Sequence, residues 1–532
     1  MSLLSCRDLT YAYEGDPLFE GLTFSIQAGE RIGLIGSNGS GKSTLLRLLA
    51  GELSPDRGDV ALARGTKLAY LPQEERFPPE ASVESVVAEV AEGGDEQTRL
   101  VNARIVLGKV GFTDLAQPAG QLSGGWRKRL AIAKVLVQDP DVVLMDEPTN
   151  HLDLSGIEWL EGILLKSRFA VLVVTHDRFL LEHVTRQVIE IGRRFAEGFF
   201  RVEGPYSQFL ERREEVLASQ QKQERALANA MRRELEWLRR GPRGRGTKKK
   251  DRIDRAGQLG SDLTEIQSRN RAGGAVELGF TGSGRRTKAL LTAKGLGVER
   301  GGKTLISGLD LELQPGDALG LVGDNGCGKS SLLRVLAGEA EPSAGKIKRA
   351  HQLRTVVFHQ DRDKLSPETT LHRALCPEGD TIVYQGKPVH VSAWAKRFQL
   401  DADRLDMKVE GLSGGERARV LIAELIRQPA DLLLLDEPTN DLDLQTRAVL
   451  EESLESFPGA LVVVTHDRYF LSRLCDSLLA LDGAGAWRQV VDLAQWRRWR
   501  KQLARAAREQ AREQAGEAKP RRRRGRPGLS SA

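Results

Sequence analysis

Gly36-Ser37-Asn38-Gly39-Ser40-Gly41-Lys42-Ser43-Thr44 returns 287 positions later as Gly323-Asp324-Asn325-Gly326-Cys327-Gly328-Lys329-Ser330-Ser331. Other segments return in the same order. Gln73, closing the strand-like run 68–71, returns as Gln360 at the same offset. Three further pairs share an offset of 290: Leu122-Ser123-Gly124-Gly125 with Leu412-Ser413-Gly414-Gly415, the run 143–150 around Asp146-Glu147 with 433–440 around Asp436-Glu437, and Thr175-His176-Asp177-Arg178 with Thr465-His466-Asp467-Arg468. Five ordered motifs with three residues of slippage exclude coincidence. The chain is two copies of one domain of roughly 200 residues.

With 40% apolar and 29% charged residues among 532, the chain has ample core and is not a disordered type. No apolar run approaches the roughly 18 residues that span a bilayer. The first residues lack a basic segment followed by an apolar one, so no secretory signal is predicted. Cys6, Cys327, Cys376 and Cys475 are far apart, without metal-ligand spacing. That pattern predicts neither a zinc ribbon nor a disulfide framework and favours a reducing cytoplasm.

The copies are expected at 1–210 and 288–491. Between them, 211–287 begins with helix formers, is broken at 241–250 by Gly, Pro and a basic run, and becomes helical again over 251–271. A helical hairpin with a basic tip is predicted, each arm on the order of 30–45 Å long. In 492–532, Trp496, Trp499, Leu503 and Ala506 have the spacing of one short amphipathic helix, followed by the basic block 521–526. The net charge of +6 is unevenly placed: +7 on 211–271 and +9 on 492–532 leave −10 for the rest. Basic appendages on acidic domains point to a nucleic-acid partner.

Each motif has a chemical reading. Gly-x-x-x-x-Gly-Lys-Ser is a phosphate-binding loop, whose glycines let backbone N–H groups converge on phosphates at a helix N-terminus. Lys42 and Lys329 can reach the β- and γ-phosphates, and the Ser43 and Ser330 hydroxyls can bind Mg²⁺. Asp146 and Asp436 end buried parallel strands, where a carboxylate can hold Mg²⁺ through its water shell. Glu147 and Glu437 follow, placed to orient or deprotonate an attacking water. Each Leu-Ser-Gly-Gly opens a helix, so Ser123 to Gly125 and Ser413 to Gly415 can present N–H groups to an anion. A lone strand-end histidine is usually structural, and it is the repeat that singles out His176 and His466.

The full set resembles the ATP-binding cassette ATPases: Walker A at 36–43 and 323–330, Q-loops at Gln73 and Gln360, signatures at 122–125 and 412–415, Walker B at 143–146 and 433–436, catalytic glutamates Glu147 and Glu437, D-loops Leu152-Asp153 and Leu442-Asp443, and switch histidines His176 and His466. Tandem cassettes, a helical linker and no membrane segment resemble the ABC-F subfamily. Trp237-Leu238-Arg239-Arg240-Gly241, Leu122 to Trp126 and Tyr384-Gln385-Gly386-Lys387-Pro388 resemble its Uup-type branch.

The resemblance implies an α/β fold: two tandem cassettes, each a parallel-sheet core with a helical subdomain, working as an intramolecular pair in a monomer. It implies two ATP with Mg²⁺ between head-to-tail cassettes. One ATP would meet Lys42, Ser43, Gln73, Asp146, Glu147 and His176 with Ser413 to Gly415. The other would meet Lys329, Ser330, Gln360, Asp436, Glu437 and His466 with Ser123 to Gly125. In this reading Ser43, Gln73 and Asp146 hold one Mg²⁺, and Ser330, Gln360 and Asp436 the other.

Three features depart from the family pattern. Tyr13 stands where an aromatic stacks on adenine, but its counterpart is Arg300. The 50 residues from Gln73 to Ser123 leave little room for the helical arm that many members insert. The branch ends in a coiled coil implicated in DNA binding, whereas this tail has one short helix and an Arg524-Gly525-Arg526-Pro527 run resembling an AT-hook core. The expected function is an ATP-driven switch on RNA, foremost the ribosome (rRNA or tRNA). A DNA-acting ATPase is the alternative, and a transporter subunit is disfavoured.

Overall fold

A computed structural model describes residues 2–13, 16–195, 197–239, 246–271, 279–280, 282, 288–359, 365–398 and 400–517. In the first copy, strands Val142–Asp146 and Ala170–Val174 are buried at every position, as strands covered on both faces must be. They belong to a six-stranded sheet ordered Leu68–Leu71, Val142–Asp146, Ala170–Val174, Arg31–Gly36, Gln187–Ile191, Phe199–Glu203. The first five strands are parallel and the last is antiparallel.

A three-stranded antiparallel sheet, Ser2–Tyr13 with Asp16–Gln27 and Arg57–Leu62, covers one face. It packs Leu9, Leu22 and Ile26 with Leu34, Leu45 and Leu172. Helices cover the other face, where Ile132, Leu160 and Leu180 meet Val143 and Val173. This layering sends the phosphate loop, the Asp146 strand end and the His176 strand end out of the same edge of the sheet, the expected place for a ligand in an open α/β fold.

The second copy repeats the plan with strands ordered Thr355–Phe358, Leu432–Asp436, Ala460–Val464, Ala318–Val322, Ser477–Leu481, Trp487–Val490. The copies differ before the signature. The first has helices Val83–Ala88 and Glu96–Val110 there, whereas the second has a hairpin, Thr381–Tyr384 with Lys387–His390. Gln385 and Gly386 both have positive φ (49° and 74°), the backbone of a two-residue type I′ turn. The Tyr384 hydroxyl accepts from Gly279 N at 2.7 Å and donates to Gly279 O at 2.8 Å, pinning the chain as it returns from the linker.

The linker helices run Tyr206–Arg239 and Gly246–Arg271. The first starts earlier than the sequence suggested because Tyr206 and Phe209 are buried against Ile35, Leu181 and Val188 of the first copy. At 34 residues it is about 50 Å long. The second starts before the lysines at 248–250, since lysine is compatible with a helix and only the Gly- and Pro-rich stretch interrupts. Of the expected basic tip at 241–250, residues 241–245 lie outside the described residues, and 246–250, expected as part of the break, belong to the second helix. Asn270 Nδ2 donates to Glu224 Oε2 at 2.6 Å, tying the arms together.

The C-terminal helix, Leu493–Glu517, is longer than the short one expected because helix-forming Ala, Arg, Gln and Glu continue past Ala506. Trp496, 2% exposed, sits in the core of the second copy, and Trp499 packs against the same cluster. Beside them, Arg497 and Arg500 meet Glu158 of the first copy, and Arg500 stacks over the Trp496 ring. Gln360 and the 521–527 block lie outside the described residues. Truncating a buried tryptophan costs roughly 3–5 kcal/mol. Trp496→Ala should therefore lower the urea midpoint of the second copy's unfolding clearly more than Trp499→Ala. Equal small shifts would show that the helix is not part of that core.

Candidate functional site: two pockets shared between the copies

The two copies meet through reciprocal contacts. Asn38 N donates to Asp443 Oδ2 at 3.1 Å, and Asn38 Nδ2 to Asp441 O at 2.9 Å. In return, Asn325 N donates to Asp153 Oδ2 at 3.1 Å, and Asn325 Nδ2 to His151 O at 3.3 Å. Each aspartate also caps a helix, Asp153 through Gly156 N and Asp443 through Thr446 N. Burial pushes both carboxyls up, but the N–H groups aimed at them outweigh it and hold both below their usual range. The next residues cross over: Leu154 packs in the core of the second copy and Leu444 against the first.

Two charge clamps flank this contact. Arg178 reaches both carboxylate oxygens of Glu451 at 2.9 Å and stacks over Tyr469. Arg468 pairs with Glu161 and stacks over Phe179. Their desolvation offsets much of their attraction, so what they supply is register: a mispaired approach would strand buried charge.

Between the copies lie two cavities of about 450 and 430 Å³. Lys42, Ser43, Thr44, Gln73, Asp146, Glu147 and His176 line the first together with Ser413, Gly414 and Gly415, and Tyr13 stands at its edge, 63% exposed. Lys329, Ser330, Ser331, Glu437 and His466 line the second with Ser123, Gly124 and Gly125, and Arg300 takes the place of Tyr13. The structure thus brings together, from opposite copies, most of the residues singled out by sequence; Asp436 is not among those lining the second cavity, and Gln360 lies outside the described residues. Some side chains of the loops turn away. Cys327 packs into the core, Ser37 and Ser40 line a separate cavity, and Asp324 lies 3.7 Å from Arg500. Any part these four take in phosphate contact falls to the main chain.

Gly41 and Gly328 cap the loop helices with left-handed φ of 89° and 106°, a turn that a side chain would strain. Lys42 Nζ is held by the carbonyls of Gly36 and Ser37, and Lys329 Nζ by those of Gly323 and Asp324. Carbonyls fix each ammonium without neutralising it. Burial raises Asp146 and Asp436, while the Ser43 and Ser330 hydroxyls beside them pull the other way. Glu147 and Glu437 take left-handed φ of 44° and 50°, a strain of order 1 kcal/mol or more that turns each carboxylate off the strand end. Burial pushes Glu147 to about 7 and Glu437 to about 8, against the pull of Lys42 and Lys329 respectively.

His176 Nε2 lies 3.3 Å from Glu147 Oε1, and His466 Nε2 lies 3.4 Å from Glu437 Oε1. Burial first, and then the nearby lysine, keep both imidazoles neutral; His466 is depressed to about 3. Glu147 Oε1, Asp436 Oδ1 and the Nδ1 atoms of both histidines are buried without a hydrogen-bond partner. Buried polar atoms need partners. A phosphate chain, a divalent cation and an ordered water would supply them, so the donor sets fit a nucleoside triphosphate with Mg²⁺.

Sequence reading missed several residues. Lys128, pushed down to about 8 by burial, donates to the carbonyls of Pro72 and Gln73 and lies 3.5 Å from that of Asp146, tying the Gln73 turn to the Asp146 strand. Its counterpart is Ala418, so no repeat marks it. The clamp pairs Arg178–Glu451 and Arg468–Glu161 do follow the 290 offset and were available from the repeat.

The sequence model of the ABC transporter family matches residues 19–150 and 306–440. The chain is 36% identical to the ATP-binding protein Uup of Caulobacter vibrioides, over 92% of this chain and 80% of that protein. It is 34% identical to the uncharacterized ABC transporter ATP-binding protein YfmR of Bacillus subtilis, covering 91% and 82%. With the energy-dependent translational throttle protein EttA of Escherichia coli K12 it shares 33% identity, covering 88% and 90%. Among solved structures, the archaeal ribosome recycling factor aABCE1 in complex with the stalk protein aP1 shares the fold, with a TM-score of 0.63 at 22% identity over 91% of this chain and 89% of that one. The chain belongs to the ABC-F family of tandem ATP-binding cassette ATPases.

Proposed function

We propose that the chain binds and hydrolyses ATP with Mg²⁺ in both pockets and uses closing and reopening of its copies to switch a nucleic-acid partner, foremost the ribosome. The observation that carries this is that each phosphate loop faces the signature helix of the opposite copy across a single cavity. A phosphate chain bound there touches both copies, so it stabilises the closed pair over the open one. A ligand shifts such an equilibrium only through that difference in affinity.

In this reading the roles are as follows, that of Gln360 resting on its resemblance to Gln73 alone. Lys42 and Lys329, with the main chain of their loops, bind and orient the phosphates. Ser43, Gln73 and Asp146, and likewise Ser330, Gln360 and Asp436, would hold Mg²⁺, which when bound spreads the negative charge developing between the β- and γ-phosphates. Glu147 and Glu437 orient the attacking water and take its proton. His176 and His466, neutral and beside those carboxylates, hold them in place and sense the γ-phosphate. Ser123 and Ser413 close each pocket from the far side, excluding bulk water. Loss of the γ-phosphate removes the bridge, and the copies separate.

The choice of partner rests on two supports. One is the 33% identity, nearly full-length, to a protein named for throttling translation. The other is the placement of positive charge on the linker and the C-terminal segment rather than on the cassettes. Among the described residues no helix is long and apolar enough to cross a membrane, which removes the usual support for a transporter role. A cytoplasmic setting fits a ribosomal partner.

A Glu147→Gln, Glu437→Gln chain should bind ATP undiminished, hydrolyse it at least 100-fold more slowly, and cosediment with ribosomes from lysate when ATP is present. Cosedimentation abolished by deoxyribonuclease but not by ribonuclease would redirect the reading to DNA. Chelating Mg²⁺ with EDTA should abolish phosphate release by the unsubstituted chain, and added Mg²⁺ should restore it. Release that persists in EDTA would contradict the assigned roles of Asp146 and Asp436.

A further inference from the structure

Beyond Tyr13 and Lys128, the two pockets differ in a further residue that the duplication does not explain. Arg447, on helix Leu444–Glu455 of the second copy, is 8% exposed. Its Nε donates to Leu442 O at 3.0 Å, within the second copy's own Leu-Asp turn. Its Nη1 crosses to the first copy and donates to His176 O at 2.9 Å. The same nitrogen lies 3.2 Å from Asp467 Oδ2. The counterpart of Arg447 in the first copy is Ile157, which is packed among Leu160, Val171 and Val173 of its own core. Among the described residues no guanidinium donates to His466 O as Arg447 does to His176 O.

We propose that Arg447 is a positioning residue acting in trans on the first pocket: it fixes the His176 turn from the opposite copy and so makes the two ATP sites unequal. The inference rests on the ATPase reading above and adds a regulated asymmetry to it. A guanidinium is suited to the task because its planar fork serves several acceptors at fixed angles, which a lysine ammonium cannot do. It is anchored at Leu442, one residue before the Asp443 that binds Asn38, so closure of the copies and seating of His176 become one event. His176 then stands beside Glu147, the residue that must meet the water. In the second pocket the His466 turn is held within its own copy: Arg447 reaches only the carboxylate of Asp467 there, not the His466 carbonyl, and Asp467 caps helix Arg468–Leu474 through Tyr469 N and Phe470 N.

Single-site backgrounds separate the pockets. Glu437→Gln leaves hydrolysis to the first pocket, and Glu147→Gln leaves it to the second. In the Glu437→Gln chain, Arg447→Ile, which copies the first-copy residue, should lower kcat about tenfold with little change in KM, the signature of lost alignment rather than lost binding. In the Glu147→Gln chain the same change should cost roughly twofold or less. Arg447→Lys, keeping the charge but not the fork, should recover part of the loss in the first background. Hydrogen exchange of the Glu147→Gln, Glu437→Gln chain with ATP bound, which holds the copies closed, gives a second readout that needs no ATPase activity. Arg447→Ile, or Arg447→Gln if the isoleucine form folds poorly, should speed exchange clearly more over 174–178 than over 464–468, where Asp467 loses its ion pair but keeps its bonds to Tyr469 N and Phe470 N.

Equal loss in both backgrounds, or equal exchange in both turns, would mean that Arg447 is a general structural support and would overturn the inference. If the unsubstituted chain hydrolysed no ATP, the ATPase reading would fall, while the exchange measurement would still decide whether Arg447 holds the His176 turn.

Discussion

The arrangement depends on a reciprocal hydrogen bond: the main-chain N–H of Asn38 to Asp443, and that of Asn325 to Asp153. Each bond joins the phosphate loop of one copy to the segment following the Asp-Glu pair of the other. Because the same carboxylates cap the next helices of their own copies, they are already fixed in place, and a shift of either copy would leave a loop N–H without its partner. The clamps from Arg178 and Arg468 and the crossing of Leu154 and Leu444 are consistent only with this register. Everything proposed about bridging by a γ-phosphate follows from two loops held face to face with two signatures.

Duplication followed by divergence accounts for what is symmetric and what is not. The phosphate-loop and signature residues, and the Asn–Asp bonds and Arg–Glu clamps that join the copies, recur at fixed offsets. Residues that tune one pocket do not. Lys128 and Arg447 serve the first pocket, and the second copy carries Ala418 and the first Ile157 in their places. The signatures differ as well. Ser413 forms a capping box with Glu416, whereas Ser123, followed by Trp126, has no side-chain cap. A hairpin replaces a long helix beside the second signature, and its Tyr384 fastens the return of the linker. Two near-copies thus carry unequal surroundings for one chemistry.

Much of this was legible in the sequence because phosphate chemistry tolerates few solutions. The loop needs glycines at Gly41 and Gly328 for backbone reasons, and the Asp and Glu must follow buried strands, so spacing and periodicity located them. The helical hairpin was legible in kind but not in extent, since the first arm begins at Tyr206 for a tertiary reason, burial against the first copy, that helix propensity does not encode. The length of the C-terminal helix was underestimated because amphipathic spacing ends near Ala506 while polar helix formers continue. Arg447 and Lys128 were hidden because each matters through carbonyls distant in sequence. Only the comparison of each copy with the other marks them, as departures from the repeat.

The head-to-tail register is tested most directly by a cross-link between Asn38→Cys and Gly415→Cys. A Cβ placed on Gly415 would stand 3.0 Å from that of Asn38, close enough for a disulfide after a small outward shift. In a chain also carrying Glu147→Gln and Glu437→Gln, mild oxidation with ATP present should give an intramolecular 38–415 disulfide, seen by non-reducing peptide mass spectrometry, with a higher yield than without nucleotide. A 38–415 bond that fails to form with ATP, or forms only between separate chains, would contradict the shared-pocket account.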